Sequence, residues 1–241
     1  ISTSNSLFYP ENNLVISNPM IFRGVVIRQI TFYPYKINLS NGEIEIFDNV
    51  EFSVEEIQSN ENRHYNQVKL SKMFEPLYES MIVNYEPSSR DEDYQTPAVL
   101  YICGGSSLNN SYVQDLIDWR HKSGFIVYTA TTSETGSNAS SIKNYIENLY
   151  NNSSNPPEIV GLIGDTGGSY AIDYFTENWS GYYGPGDMPY SQLDGDDLLP
   201  EVFIGRISVN SSSDLSNVIN KTLAYEKATY LNQISSDWYE R

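Results

Sequence analysis

The stretch AVLYICGGSSLNNSYVQDLIDWRHKSGFIVY, residues 98–128, decides the fold of the second half of this 241-residue chain. It opens on an uninterrupted apolar run, Ala98–Ile102, which predicts a strand that is buried on both faces. A helical pattern follows, with three apolar residues on one face: Val113, Leu116 and Ile117. Phe125–Tyr128 then predicts a second apolar strand. A helix between two such strands is typical of a parallel sheet that is covered by helices.

The same alternation of strands and helices continues along the rest of the chain. The further predicted elements are a helix at Ser140–Asn151, a strand at Ile159–Ile163, a strand at Val202–Ile204 and a helix at Ser212–Lys227. Residues 98–241 are therefore predicted to form an α/β domain, in which a mostly parallel sheet lies between helices.

Residues 20–56 have a period of two instead, which predicts a smaller antiparallel β module. Apolar residues alternate with polar ones in short runs: Val25 and Ile27, Ile30 and Phe32, Ile37 and Leu39, Ile44 and Ile46, and Val50, Phe52 and Val54. The change of phase at Arg28-Gln29 predicts a bulge. Ser40-Asn41-Gly42 predicts a hairpin with a type I′ turn, because Asn and Gly adopt the positive φ angles of that turn most readily.

A stretch without periodicity separates the two halves. Residues 69–84 are a mixed apolar connector, and Tyr85–Pro97, YEPSSRDEDYQTP, then concentrates proline, serine and charge. Such a composition is typical of a linker and of a proteolytic cleavage segment. The predicted organisation is a β domain at 1–84, a linker at 85–97 and an α/β domain at 98–241.

Charge and cysteine content exclude several classes of function. The chain has 14 Lys and Arg against 31 Asp and Glu, a net charge of -17, which argues against nucleic acid as a partner. This acidity fits a soluble, often extracellular protein that attracts cations or basic peptides, or it serves solubility alone. No apolar stretch approaches the roughly 18 residues of a membrane span. Cys103 is the only cysteine, which excludes an intrachain disulfide and a cysteine-based zinc site.

Three carboxyl ends of predicted strands are candidate ligand sites, because ligands of open α/β sheets bind beyond those ends. They are Cys103–Ser106, Gly164–Gly168, and Arg206 with Ser208. Cys103 is a candidate nucleophile or a small buried core residue. A nucleophilic cysteine needs a base, and the sequence places neither His64 nor His121 beside it. His121 falls in the last turn of a predicted helix, where a cation interacts favourably with the helix dipole.

Several segments resemble the gingipain-like cysteine peptidases, in the order in which that family carries them. The most specific are WRHKSG at 119–124 and DGDDLLPEVFIGR at 194–206, while residues 22–54 are similar to the end of the family's propeptide. The resemblance implies a caspase-like α/β fold at 98–241, of which this chain holds the N-terminal part. It also implies that residues 1–84 are the C-terminal part of an inhibitory propeptide domain.

The activity implied by the resemblance is hydrolysis of peptide bonds by a cysteine nucleophile with a histidine base. The family carries these two residues on later strands, in Gly-His-Gly and Ala-Cys segments, and neither segment occurs in this sequence. The chain begins at Ile1 rather than Met, so we expect a processed or truncated piece of a longer protein. No catalytic residue is predicted within it, and the isolated piece is expected to be inactive.

The resemblance also gives a role to the acidic stretch before the fourth strand. In the arginine-specific members, an aspartate of the matching stretch lines the pocket for the basic side chain, and its distance from Glu201-Val202 places this role on Asp197. A carboxylate there can accept a bidentate hydrogen bond from a guanidinium group. The alternatives for Asp194–Asp197 are an ordinary Asp/Gly turn and a calcium site with oxygen ligands. No other cofactor is expected.

The expected partners are a peptide or protein substrate and, within the chain, a contact between the propeptide-like and catalytic parts. The resemblance implies a secreted or cell-surface bacterial protein. Two other functions stay open: a family member that acts as a surface-protein sortase, and a non-catalytic secreted binding module. The tyrosine-rich, acidic composition and eight Asn-x-Ser/Thr sequons fit the binding module as well.

Overall fold

The computed structural model describes residues 7–51, 53, 70–90 and 93–227, which divide by their contacts into two compact units. The first unit holds the described residues up to Ile21 and from Val25 to Ser53. The second unit holds Phe22–Gly24 and the described residues from Leu70 onward. The second unit therefore begins before the predicted linker at 85–97, and it includes three residues from early in the chain.

The first unit consists of short antiparallel strands, as its period of two predicts. They are β1 (Phe8–Tyr9), β2 (Leu14–Ile16), β3 (Met20–Phe22), β4 (Val25–Ile27), β5 (Ile30–Phe32), β6 (Tyr35–Asn38) and β7 (Ile44–Ile46), of which only Phe22, the last residue of β3, belongs to the second unit. β6 pairs with β1 and β7, β2 pairs with β5, and β3 pairs with β4. Val50 lies outside the strands, and its predicted companions Phe52 and Val54 lie outside the described residues.

Two details of this module differ from the prediction. β6 and β7 do form the predicted hairpin, but only Gly42 of the Asn-Gly pair has positive φ, at +76°. Of the non-glycine residues that the structure describes, positive φ occurs only at Arg23 and Ser180, so the predicted type I′ turn at Asn41-Gly42 is wrong. The predicted bulge at Arg28-Gln29 is wrong as well, because the chain there leaves the β3–β4 pair and enters the β2–β5 pair.

The predicted connector contains a helix, α1 (Glu75–Met81), in which Tyr78 is fully buried. Part of the predicted linker is also packed: Tyr94 and Gln95 are buried, and Gln95 N donates to Leu70 O at 2.9 Å. The high proline, serine and charge content of the stretch is typical of an exposed linker, but these two residues are buried in the second unit.

The rest of the second unit has the predicted α/β pattern. Its elements are β8 (Ala98–Cys103), α2 (Ser111–Lys122), β9 (Ile126–Thr131), α3 (Thr132–Thr135), α4 (Ala139–Asn152), β10 (Ile159–Ile163), β11 (Phe175–Trp179), β12 (Tyr182–Gly186), β13 (Phe203–Ile207) and α5 (Ser212–Glu226). Four of the strands form one parallel sheet in the order β13-β10-β8-β9. The α/β fold class is thus confirmed. No helix in the described ranges combines the length and the apolarity that a membrane crossing requires.

Both faces of the sheet are covered, which explains why the central strands β8 and β10 are largely apolar. Leu100 and Ile102 pack with Ile142 and Ile146 of α4, whereas the alternate residues of β8 face α2 and α5. The second set includes Val99, Tyr101 and Cys103 from β8, Val113 and Leu116 from α2, and Leu215 and Ile219 from α5. Each large aliphatic side chain that is buried in this way contributes about 1.5–3 kcal/mol.

One hairpin in this unit has no counterpart in the prediction. β11 and β12 pair in antiparallel fashion with Trp179 opposite Tyr182, which leaves a two-residue turn at Ser180-Gly181. Both turn residues have positive φ, 31° and 98°, so the type I′ geometry that was predicted in the first unit occurs here instead.

Candidate functional site

The acidic stretch before β13 forms a loop, Leu193–Pro200, which we call the acidic loop. Its aspartates bond to its own backbone: Asp194 Oδ1 accepts from Gly195 N at 2.9 Å, and Asp197 Oδ1 accepts from Leu199 N at 2.8 Å. Asp197 is half-buried, whereas Asp196 is exposed. Both Asp194 and Asp197 thus make the local bonds that are typical of aspartate in turns. The substrate-binding role of Asp197 stays a prediction.

Glu201 closes the acidic loop from its far end. Its carboxylate oxygen Oε2 accepts from Leu193 N at 2.6 Å and from Asp194 N at 3.2 Å, and its own N–H donates to Ser191 O at 2.8 Å. The side chain is fully buried, and the other oxygen, Oε1, has no hydrogen-bond partner among the described residues. Burial raises the pKa of Glu201 to about 7, although the two backbone bonds oppose this change.

Arg23 contacts Glu201 in a buried site that we call the Arg23 pocket. The residues that contact the guanidinium group there are Phe74, Gln95, Tyr150, Pro156, Pro157 and Glu201. Arg23 is 2% exposed. Its Nη1 donates to Pro157 O at 2.9 Å and to Glu201 O. Its Nη2 donates to Gln95 Oε1 at 3.0 Å and to Pro156 O at 3.4 Å. The guanidinium group is therefore hydrogen-bonded mainly to backbone carbonyls that precede strands of the sheet.

Two aromatic rings lie close to the same guanidinium group. Its central carbon lies 5.1 Å from the ring centroid of Phe74 and 5.5 Å from that of Tyr150, within the range of cation–π attraction. The Arg23 backbone has φ of +41°, and Tyr78 Oη donates to its carbonyl at 3.2 Å. A left-handed conformation costs a non-glycine residue about 1–2 kcal/mol, so the contacts of its side chain must offset this strain.

The predicted sites follow the carboxyl ends of the strands, whereas Glu201 precedes β13, so the two lie at opposite ends of the strands. Asp165, after β10, accepts from Ser208 Oγ at 2.8 Å and from Asn210 Nδ2 at 3.1 Å, and these bonds help to lower its pKa. Arg206 binds Asp187 through two nitrogens, at 2.8 and 2.7 Å. Glu201 and Ser208 flank β13, so the length of that strand, roughly 15 Å, separates the two ends. The structure therefore brings Asp165 and Ser208 together, but it does not bring them to Glu201.

Cys103 takes the second of its two predicted roles, that of a core residue. It is fully buried, and burial raises the pKa of its thiol to about 12, so the thiolate is not populated near neutral pH. His121 is exposed in the last turn of α2, which begins beyond the carboxyl end of β8 and runs about 15 Å back along the sheet. His64 lies outside the described residues. The structure does not pair Cys103 with His121.

Sequence reasoning missed Arg23 and the buried carboxylate of Glu158. Glu158 is 1% exposed; its Oε2 accepts from Ala98 N at 3.2 Å, and its Oε1 accepts from Ser71 Oγ. Both residues have a local signal. Glu158 follows Pro156-Pro157 and directly precedes a strand that is buried on both faces, which leaves it little access to water. Arg23 is a cation in a tight turn between two apolar runs.

The calcium alternative for the acidic loop stays a prediction. In the parts of the chain that the structure describes, no group of three or more His, Cys, Asp or Glu side chains is arranged to hold a metal ion. Asp194 and Asp197 direct one carboxylate oxygen each to backbone N–H groups of the loop.

Comparison with known proteins gives one consistent result. The model of peptidase family C25 matches residues 92–241. Gingipain R1 of Porphyromonas gingivalis is 26% identical over 233 residues, which is 94% of this chain and 22% of that protein. Lys-gingipain of the same organism is 27% identical over 219 residues, which is 86% of this chain and 12% of that protein.

The match to solved structures is partial. The crystal structure of the Arg-specific cysteine proteinase gingipain R has 25% sequence identity and a TM-score of 0.46, and the match covers 58% of this chain and 30% of that one. The chain spans between 12% and 30% of the length of the curated relatives.

Proposed function

This chain belongs to peptidase family C25, and on that premise we propose that the intact protein hydrolyses peptide bonds as a cysteine peptidase. The observation that carries the proposal is the family match over residues 92–241, which include the whole parallel sheet. The reaction is attack of a cysteine thiolate on the peptide carbonyl and transfer of a proton by histidine to the leaving amine. Water then hydrolyses the acyl-enzyme and frees the thiol.

In this proposal the nucleophile and the base come from residues outside this chain. The buried thiol of Cys103, with its raised pKa, is unsuited to attack, and His121 lies on a helix end away from it. This chain then contributes a scaffold and a part of the substrate-binding site. Membership of this family also favours secretion of the intact protein or its display at the bacterial cell surface.

The isolated chain should accordingly have no peptidase activity. We expect no turnover of peptides that carry Arg or Lys at the cleavage position, and no alkylation of Cys103 by iodoacetamide until urea unfolds the chain, because the thiol is fully buried. Mass spectrometry with and without urea measures the alkylation. Turnover that Cys103→Ala abolishes would contradict the proposed division of labour.

We further propose that Asp197 binds a basic side chain of the substrate. Like Asp194 it is half-buried, and its bond from Leu199 N orients the carboxylate. A partly desolvated, bidentate contact with a guanidinium group contributes roughly 1.5–3 kcal/mol, whereas a solvated one contributes about 0–1 kcal/mol. Burial and orientation therefore decide whether a carboxylate in this loop can select arginine.

In the full-length protein, Asp197→Asn should lower kcat/KM for arginine substrates by about tenfold to a hundredfold, since the amide cannot form the bidentate charged contact. Asp194→Asn is the matched control, because Asp194 also accepts one backbone bond within the loop, from Gly195 N at 2.9 Å. We expect that control to change kcat/KM by less than about twofold, since it keeps an acceptor oxygen. Equal and small effects from both changes would identify the stretch as a structural turn.

A further inference from the structure

We infer that Glu201 is a positioning residue for the acidic loop and that Arg23 holds Glu201 in place, so that this pair determines where the Asp197 carboxylate lies. The inference rests on the proposed role of Asp197. Neither Glu201 nor Arg23 is assigned contact with a substrate.

The first step is the closure of the loop by one side chain. Glu201 follows the loop, but its carboxylate reaches back to the N–H groups of Leu193 and Asp194 at the start, 2.6 and 3.2 Å away. Its own N–H binds Ser191 O at 2.8 Å, so a single residue joins both ends of the loop. Fixed ends leave the residues between them fewer conformations, and Asp197 is one of those residues.

The second step is the attachment of Glu201 to the sheet. Arg23 donates to the Glu201 carbonyl, and it also donates to the carbonyls of Pro157 and Pro156 at 2.9 and 3.4 Å. The prolines directly precede the segment that enters β10, whereas Glu201 directly precedes the segment that enters β13. The planar guanidinium group therefore fixes the distance between Glu201, at the end of the acidic loop, and the segment that enters β10. Phe74 and Tyr150 fix the orientation of its plane.

The direct test is amide hydrogen exchange of Leu193 and Asp194, measured by NMR in this chain. Glu201→Ala should lower protection of both amides by up to about tenfold, since each loses its bond to the Glu201 carboxyl group. Glu201→Gln keeps an acceptor oxygen at the same reach and should retain most of the protection. Asp196→Asn, an exposed change in the same loop, should leave it unaltered. Unaltered protection in Glu201→Ala would overturn the inference.

The functional test uses the full-length protein and two peptides that differ only at the cleavage position, with arginine in one and its uncharged isostere citrulline in the other. The readout is the ratio of the two kcat/KM values. A variant that merely unfolds a fraction of the protein lowers both values equally and leaves the ratio unchanged. Misplacement of Asp197 lowers only the arginine value.

We expect Glu201→Ala to lower the ratio by roughly tenfold, because a small misplacement of a binding group has effects of that order. Arg23 falls in the stretch that the resemblance assigns to an inhibitory propeptide, so its contribution is tested in this chain by amide exchange, where Arg23→Lys should also lower the protection of Leu193 and Asp194. Glu201→Gln should restore the ratio to within about twofold of the wild-type value, since its amide oxygen can accept the same bonds. If Glu201→Ala does not fold, Glu201→Asp replaces it, because a side chain that is one methylene shorter cannot reach both N–H groups.

The outcomes separate the two proposals. A ratio that falls in Asp197→Asn but is unchanged in Glu201→Ala overturns the positioning role and leaves the role of Asp197 intact. A wild-type ratio near one, or a ratio that Asp197→Asn leaves unchanged, overturns the proposed function of Asp197. In that case the hydrogen-exchange result still decides whether Glu201 fixes the loop.

Discussion

Replacing Arg23 by methionine should lower the free energy of unfolding of the second unit by about 3–5 kcal/mol, because several buried hydrogen-bond acceptors lose their donor. Methionine keeps much of the apolar contact with Phe74 and Tyr150, but it leaves the carbonyls of Pro157 and Glu201 and the Gln95 side chain without their donor. Each buried acceptor that is left without a partner costs about 1–3 kcal/mol.

Urea titration followed by tryptophan fluorescence measures this effect. Of the three tryptophans in the chain, Trp119 and Trp179 belong to the second unit and Trp238 lies outside the described residues. The first unit contains no tryptophan, so the signal comes from outside it. Arg23→Lys should lose most of the same stability, because a single ammonium group cannot reach the acceptors of both Nη1 and Nη2.

The matched control is Arg90→Met. Arg90 belongs to the same unit, but its side chain is 65% exposed and its ion pair with Asp93 spans 3.9 Å. Exposed pairs of this kind contribute about 0–1 kcal/mol. Similar losses from Arg23→Met and Arg90→Met would mean that the Arg23 pocket adds nothing beyond ordinary surface contacts.

The parallel sheet could be predicted from the sequence because its information is local. A strand such as Ala98–Cys103 is buried on both faces and is apolar at every position, and α4 carries its core residues Ile142 and Ile146 at helical spacing. Helix starts are local too: the side chains of Asn110, Asn138 and Ser211 cap α2, α4 and α5.

The Arg23 pocket could not be predicted in the same way, since its partners are distant in the chain. Arg23 bonds Gln95, Pro157 and Glu201, which lie 72, 134 and 178 residues away. No periodicity connects positions at such separations. A cation in a hairpin turn is ordinarily exposed, so local reasoning favours solvent for this side chain.

The orientation of the Glu201 side chain could not be predicted from the sequence either, although its partners are close in the chain. The composition of the acidic loop predicts a turn with exposed carboxylates, and Asp196 follows that prediction. Glu201 does not, because its carboxylate turns inward to the N–H groups of Leu193 and Asp194. The direction of one side chain depends on which backbone donors the fold leaves without partners, and a count of acidic residues does not contain that information.

The buried carboxyl group of Glu201 should make the stability of the second unit depend on pH in an unusual direction. Burial raises the pKa of Glu201 to about 7 from its ordinary value of 4.5, against the two backbone bonds, and repulsion from Asp197 and Asp194 adds to the rise. The contribution of Glu201 to stability is then full below pH 4.5, where the folded and unfolded chains are both protonated. It is lost as the pH rises to about 7, and the total loss is roughly 3 kcal/mol.

Glu201→Gln isolates this effect, because glutamine has a similar shape and does not titrate. The free energy of unfolding of the variant, relative to that of wild type, should rise by roughly 2–3 kcal/mol between pH 5 and pH 8. Urea titrations at pH 5, 6, 7 and 8, with tryptophan fluorescence as the readout, give this difference. The range stays above the isoelectric point of about 4.3, at which the chain carries no net charge and tends to precipitate.

Glu226→Gln provides a control of opposite sign. Arg120 donates to the Glu226 carboxylate at 2.5 and 2.8 Å, and these bonds lower its pKa below the ordinary value. The contribution of Glu226 is therefore present above pH 4.5 and is lost only as the pH falls through its lowered pKa, so the Glu226→Gln difference should be nearly constant from pH 6 to pH 8. A flat curve for Glu201→Gln as well would mean that Glu201 is ionised throughout, with its carboxylate stabilised by Leu193, Asp194 and Arg23 more strongly than burial opposes it. If the difference rises with pH for Glu201→Gln but not for Glu226→Gln, Glu201 is the group whose ionisation near neutral pH destabilises the second unit.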